Sequence, residues 1–124
     1  MTRFALVAGS VYGLFAVCLG AFGAHALSSS LSTEMQAVWH TAEQYQFYHA
    51  LALLAVGILM RQGLAGRAIQ TAAWCFTTGT LIFSGSLYVL ALSGVKILGA
   101  ITPIGGVLLI AGWVALLVAA RRGT

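Results

Sequence analysis

Charged side chains are scarce in this chain: they make up 6% of its 124 residues, whereas 60% of the residues are hydrophobic. A soluble domain carries about a quarter charged residues, so these few charges cannot solvate a folded surface. The sequence has no aspartate, which excludes a Ser-His-Asp triad, and no glycine-rich loop between a strand and a helix, which excludes a phosphate cradle. The composition therefore indicates a protein that is surrounded by membrane lipid. The usual motifs of soluble enzymes are missing from the sequence.

Cysteine is also scarce, and the two cysteines, Cys18 and Cys75, are poorly placed to form a disulfide. In helices that both run outward, their depths in the membrane differ by about 10 Å at 1.5 Å per residue. The Cα atoms of a disulfide lie within about 7 Å of each other. We therefore predict two free, buried thiols.

Long apolar stretches separated by short connections fill most of the chain. A transmembrane helix needs about 20 mostly apolar residues, a length that the second stretch reaches only with the polar residues before it. Thr33, with Gln36 three residues on, is predicted to cap that helix, and residues 34–42 either continue it or form a separate surface helix. We predict an all-α fold, a compact bundle of four transmembrane helices in one domain, residues 1–124. The predicted helices cover about residues 4–27, 34–60, 67–92 and 97–120.

The net charge of +4 does not indicate a nucleic-acid partner. The cationic side chains lie at the ends of the apolar stretches, and they form no basic stripe of the kind that binds a nucleic acid. If the chain crosses the membrane four times, Lys96 and both glutamates, Glu34 and Glu43, fall on one side. The other five cations fall on the opposite side, and because positive charge marks the cytoplasmic side, both termini are predicted to be cytoplasmic. These five are Arg3, Arg61, Arg67, Arg121 and Arg122.

Small residues recur along one sector of the first predicted helix. Such a ridge lets two helix backbones approach closely, which drives helix association in lipid. The ridge either packs within the bundle or forms the seam of a homo-oligomer, and we expect the chain to form a homo-oligomer in the lipid bilayer. The ridge consists of Gly9, Gly13, Ala16, Gly20 and Ala24.

Polar side chains that helix ends do not explain concentrate in the half of the bundle predicted to face outward. An ionisable residue within a membrane segment indicates a functional site by default, and these residues are candidates for a ligand-binding or polar pocket. The alternative is a neutral histidine that ties helices together, with serine and threonine hydroxyls bonding to backbone carbonyls. The candidate pocket residues are His25, Tyr45, His49, Ser84, Tyr88 and Thr102.

Two further ionisable residues, His40 and Glu43, lie on a different face of the second helix from His49. They are three residues apart, so we expect them to form a modest surface pair. The chain lacks an H-x-x-x-H motif and a pair of closely spaced cysteines, and it has few carboxylates for a metal site. We therefore predict no metal, no cofactor and no catalytic residues.

Four segments stand out as motifs: GAFGAHAL at Gly20–Leu27, YQFYHALALL at Tyr45–Leu54, FSGSLYVLALSG at Phe83–Gly94 and ITPIGG at Ile101–Gly106. In order and spacing they resemble the "domain of unknown function 423" family, which is related to animal transmembrane-256-like proteins. The resemblance covers nearly the whole chain and implies a multi-pass protein of the bacterial inner (plasma) membrane. It implies no activity.

Three functions fit these observations. The first is a non-enzymatic membrane module that binds lipid or a partner membrane protein. The second is an oligomeric transporter or channel component with an outward-facing polar pocket around His25 and His49. The third is a quinone-associated redox subunit in which His49 and Tyr45 hydrogen-bond a quinone carbonyl.

Overall fold

The computed structural model describes residues 1–122, and these residues form helices and short connections without a β-strand. The all-α fold predicted from the sequence is therefore confirmed. A short 3-10 helix, Lys96–Ala100, precedes the last α-helix. The four α-helices are α1 (Thr2–His25), α2 (Thr33–Arg61), α3 (Arg67–Ser93) and α4 (Thr102–Arg122).

Three segments within residues 1–122 are long and apolar enough to cross a membrane: Thr2–His25, Arg67–Ser93 and Lys96–Arg122. Helix α2 is long enough but is not among them. Polar residues such as Gln44 and Gln46 interrupt its apolar run. A fourth crossing by α2 thus stays a prediction.

Helix α2 runs without interruption from Thr33 to Arg61, so residues 34–42 continue it and do not form a separate surface helix. Its cap is Ser32, whose Oγ accepts a hydrogen bond from the Met35 backbone nitrogen at 3.1 Å. The predicted cap at Thr33 is therefore wrong by one residue. Gln36 does not complete a capping box, because its amide donates to the carbonyls of the preceding turn at 2.8 and 2.9 Å.

The start of the last helix also differs from the prediction of residue 97. Gly94 ends α3 in the left-handed conformation (φ +71°), and the 3-10 helix follows before α4 begins at Thr102. Pro103 is the second residue of α4, where its missing N–H is not needed for an intrahelical hydrogen bond. The glycines and the proline of this region explain why the regular helix begins later.

Helices α2 and α3 form the centre of the bundle, with α1 packed on α2 and α4 packed on α3. The core between them contains fully buried apolar side chains such as Leu53, Val56, Ile69 and Phe76. Large apolar side chains also cover the outside of the bundle, as expected for a protein that is solvated by lipid tails. Those more than 60% exposed include Leu14, Val17, Leu81, Val107 and Ile110.

Both cysteines are free, as predicted. Cys75 is half-buried, but Cys18 is exposed, so the prediction that both thiols are buried is wrong for Cys18. Cys18 lies outside the ridge of small residues through which α1 packs on α2. Only α2 covers α1 closely, so the opposite side of α1 has no helix to bury it.

Candidate functional site

The small-residue ridge of α1 packs against α2 of the same chain. Gly9 and Ala16 are buried, and a β-carbon added at Gly9 would lie 2.9 Å from the carbonyl oxygen of Ala50. A β-carbon at Gly13 would lie 3.8 Å from the Ala50 side chain, so the packing continues one turn further along α1. The last member, Ala24, is exposed. The ridge therefore serves packing within the bundle over most of its length.

A glutamine at the centre of α2 joins three helices. Gln46 is only 5% exposed, and its Nε2 donates to the carbonyl oxygen of Tyr12 on α1 at 2.9 Å. The Tyr88 hydroxyl on α3 donates to Gln46 Oε1 at 2.7 Å. The Tyr12 hydroxyl in turn donates to the Thr77 carbonyl at 2.6 Å, which links α1 directly to α3. Gln46 was not among the predicted site residues, although a buried amide needs hydrogen-bond partners within the protein.

His49 is buried, and both of its ring nitrogens have partners. Trp113 Nε1 on α4 donates to His49 Nε2 at 3.0 Å, so Nε2 is an acceptor. The other nitrogen, Nδ1, lies 2.8 Å from the Tyr45 carbonyl oxygen, so in a neutral ring it carries the proton and donates. This histidine thereby ties α2 to α4. Its partner Trp113, in the middle of α4, was also missed, because the sequence does not show which side chain of another helix it faces.

The other candidate pocket residues do not converge on one open space. Ser84 Oγ donates to the Ala42 carbonyl at 2.7 Å, and Thr102 is 2.6 Å from Ser86 Oγ across the interface of α3 with α4. The Tyr45 ring is 39% exposed and lies against Phe83. The His25 side chain is exposed at the end of α1 and shares none of the side-chain hydrogen bonds found among residues 1–122. Tyr45, His49, Ser84 and Tyr88 thus lie where α2 packs against its neighbours, and His25 lies apart from them.

One buried hydroxyl, that of Thr80 on α3, has no hydrogen-bond partner within residues 1–122. Thr80 lines a cleft of about 280 Å³ between α1 and α3, together with the apolar side chains of Val11, Phe15 and Leu81. The exposed surface of this cleft is almost entirely apolar. Tyr88 donates to Gln46, and the hydroxyls of Tyr12 and Ser84 donate to backbone carbonyls.

Two neighbouring cavities follow the interface of α1 with α2, and Glu43 lines both of them. The cavity at the end of the bundle has a volume of about 340 Å³ and includes Gln36, Trp39 and His40. The cavity below it measures about 280 Å³ and is mostly apolar. We refer to both together as the α1–α2 groove, and its lower part is lined by Ala16, Val17, Glu43, Gln44, Phe47 and Tyr48.

Two glycines of α1 shape the polar end of this groove. A β-carbon at Gly20 would lie 2.6 Å from Glu43 Oε2, so the carboxylate rests directly over the bare backbone of α1. A β-carbon at Gly23 would collide with the Trp39 indole, which donates to the Leu19 carbonyl at 3.0 Å. The GAFGAHAL segment therefore admits an acid and an indole where larger residues would exclude both.

The predicted pair of His40 and Glu43 is confirmed. His40 Nδ1 lies 2.9 Å from Glu43 Oε1, and this is the one close contact between a basic and an acidic side chain found among residues 1–122. The His40 side chain is 64% exposed, whereas that of Glu43 is only 22% exposed. The carboxylate is therefore largely withdrawn from solvent without a lysine or arginine beside it. Within the same residues, no group of three or more histidine, cysteine or acidic side chains could hold a metal ion.

Comparisons with known proteins give a consistent family assignment. Residues 19–106 match the family described as "Protein of unknown function (DUF423)". The UPF0382 membrane protein YwdK of Bacillus subtilis is 44% identical over 94% of this chain and 95% of its own length. A UPF0382 membrane protein of Staphylococcus epidermidis is 46% identical over 94% of both chains, and the UPF0382 membrane protein SAB0533 of Staphylococcus aureus is 45% identical over 92% of both.

No solved structure matches the chain. The match to the family model covers more than half of the chain, and the relatives align over almost their full lengths. The names of these relatives describe membrane proteins, in agreement with the long apolar helices of this chain. This chain is therefore a multi-pass helical membrane protein that belongs to the DUF423 family.

Proposed function

We propose that this protein is a non-enzymatic membrane module that binds a phospholipid along the α1–α2 groove. In this proposal all four helices cross the bacterial plasma membrane and both termini are cytoplasmic, which the distribution of arginines supports. The observation that carries the proposal is the groove itself. It is open to the outside of the bundle, has the polar side chains of Gln36, His40 and Glu43 at one end, and is mostly apolar along the remainder.

The groove matches a phospholipid in polarity and in depth. Glu43 precedes Arg61 by 18 residues on α2, which corresponds to about 27 Å of helix at 1.5 Å per residue. The hydrocarbon core of a bilayer is about 30 Å thick. With Arg61 at one boundary of the core, Glu43 therefore lies close to the other boundary, at the level of lipid headgroups. The apolar part of the groove, with Val17 and Phe47, then extends toward the bilayer centre, where an acyl chain lies.

The two alternative functions receive less support from the hydrogen bonds. A transport pocket around His25 and His49 requires both side chains to line one space, but His49 is buried between Tyr45 and Trp113 and His25 is exposed at the end of α1. A quinone carbonyl would have to displace Trp113 from His49. The homo-oligomer also stays a prediction, and because α2 covers most of the ridge on α1, another surface would have to form the interface.

The test is retention of phospholipid by the purified protein. Val17 lines the apolar part of the groove and is 63% exposed, so Val17→Trp fills the groove without entering the core. Val107 on α4 is 64% exposed and remote from the groove, so Val107→Trp is the matched control. Native mass spectrometry of protein released from its own membrane measures the lipid that stays bound.

We expect Val17→Trp to lower the retained phospholipid about fivefold, which corresponds to roughly 1 kcal/mol, and Val107→Trp to leave it unchanged. Equal retention by both variants would show that the groove does not hold the lipid. A wild-type protein released without lipid, on the other hand, would favour a module that binds a partner membrane protein.

A further inference from the structure

The carboxylate of Glu43 gives the groove a charge that discriminates between lipid headgroups. We infer that the α1–α2 groove selects phospholipids with a primary amine in the headgroup, of the phosphatidylethanolamine class. The inference rests on the proposed function, since it names the kind of lipid that the same groove takes.

Glu43 is an acid without a full counter-charge. One oxygen, Oε1, pairs with His40, while the other, Oε2, lies over Gly20, where α1 has no side chain to approach it. The His40 ring is mostly exposed, so water and headgroups compete for it, and Glu43 makes no ion pair with lysine or arginine among residues 1–122. An acid this far withdrawn from solvent is costly unless a cation or hydrogen-bond donors reach it.

A primary ammonium group supplies both the charge and the donors. It carries three N–H bonds, and a hydrogen bond between ionised partners is stronger than one between neutral groups. A choline headgroup has the same charge but no N–H bond, and its methyl groups keep its nitrogen away from the carboxylate. An anionic headgroup, such as glycerol phosphate, is repelled by Glu43. The expected order of preference is therefore ethanolamine, then choline, then glycerol.

Trp39 provides a reporter inside the groove, since it lines the cavity that contains Glu43. The protein is reconstituted with Trp39 as its only tryptophan, in mixed vesicles where either the phosphatidylethanolamine or the phosphatidylcholine is brominated near the carbonyl end of its chains. Bromine quenches the fluorescence of a neighbouring indole. Comparing the quenching in the two mixtures gives the association constant of phosphatidylethanolamine at the groove relative to that of phosphatidylcholine. A second protein that keeps only Trp74, which is 54% exposed on α3, reports on ordinary surrounding lipid.

We expect a preference for ethanolamine over choline of about fivefold at Trp39 and none at Trp74. Glu43→Gln keeps the size of the side chain and is expected to reduce the preference at Trp39 to about one. Should Glu43→Gln fail to fold, His40→Ala serves instead, because it leaves both oxygens of Glu43 for the headgroup and is expected to keep or increase the preference.

Three results would overturn the inference: equal constants for the two headgroups at Trp39, a preference that persists in Glu43→Gln, or a loss of preference in His40→Ala. In the first of these, Trp39 is still quenched by both lipids, so the groove still holds a lipid and the proposed function survives. If Trp39 escapes quenching by both lipids while Trp74 is quenched, the groove is covered by protein, and the proposed function fails together with the inference.

Discussion

Replacing Gly105 by alanine is expected to destabilise the protein by about 1–2 kcal/mol, because α3 and α4 touch through their backbones at this glycine. A β-carbon at Gly105 would collide with the Phe83 backbone nitrogen and would lie 2.8 Å from the α-carbon of Phe83. Ordinary van der Waals packing begins at 3.4 Å, so the two carbon atoms would have to move apart by at least 0.6 Å. A side chain can change its rotamer to relieve such a contact, but the backbone of a helix cannot. The two helices must therefore separate.

The separation affects packing beyond Gly105. About one turn before Phe83 on α3, a β-carbon at Gly79 would lie 3.0 Å from the Leu109 nitrogen, so a second close backbone approach joins the same pair of helices. Overpacking of this kind typically costs about 1–3 kcal/mol. The gain from replacing a helical glycine by alanine, about 1 kcal/mol at most, offsets part of that cost.

The neighbouring glycine supplies the control. A β-carbon at Gly106 would meet only the end of the Phe83 ring, at 3.7 Å, which is an ordinary van der Waals distance. Gly106→Ala is therefore expected to leave the stability unchanged or to raise it by about 0.5 kcal/mol. The assay is reversible unfolding in mixed micelles of mild detergent and dodecyl sulfate, followed by circular dichroism.

A Gly105→Ala protein as stable as Gly106→Ala would refute this account of the packing between α3 and α4. Rescue by Phe83→Ala would also refute it, because the obstacle at Gly105 is the backbone and the β-carbon of Phe83, which alanine retains.

Two further predictions concern the bundle and its orientation. Gln46→Leu removes the amide that bonds Tyr12 and Tyr88. We expect it to lower the free energy of unfolding by about 1–2 kcal/mol in the same assay. The control, Gln62→Leu at an exposed position, is expected to lower it by less than about 0.5 kcal/mol. For the orientation, cysteines introduced one at a time at the exposed Ser30 and Ala65, in a protein without its native cysteines, are labelled in intact cells with a membrane-impermeant maleimide. We expect label at position 30 and none at position 65, and the reverse pattern would contradict cytoplasmic termini.

The fold was predictable because lipid imposes strict rules on a chain. A segment that crosses the hydrocarbon core must satisfy its own backbone hydrogen bonds, so long apolar runs predict helices with little ambiguity. Where the chain departs from an apolar run, the prediction was weaker. Ser32 and Thr33 are both good caps, and the choice between them depends on how the turn before α2 closes. The 3-10 helix before α4 likewise depends on local geometry that glycines permit but do not dictate.

The candidate site was predictable only in part, because a sequence gives the face of a helix but not the partner across it. His49 was selected as a polar residue within a membrane segment, yet its partner Trp113 lies 64 positions further along the chain. The roles of Gln46 and Glu43 depend on residues of α1: Gln46 bonds the Tyr12 carbonyl, and Glu43 lies over Gly20. A glycine such as Gly20 has no side chain that would indicate a site, so the groove could not be predicted without knowing how α1 packs on α2.

The most direct test of the central claim is to map where lipid touches the protein in its own membrane. Cells grow on a fatty acid that carries a diazirine, their membranes are illuminated, and mass spectrometry of peptides locates the crosslinked lipid on the protein. The account predicts that adducts concentrate on the groove residues Val17, Phe47 and Tyr48. It predicts several-fold fewer adducts at Val107 and Leu117, which are 64% and 60% exposed, more than Phe47 and Tyr48. Adducts spread evenly over all exposed apolar residues, or absent from the groove, would contradict it.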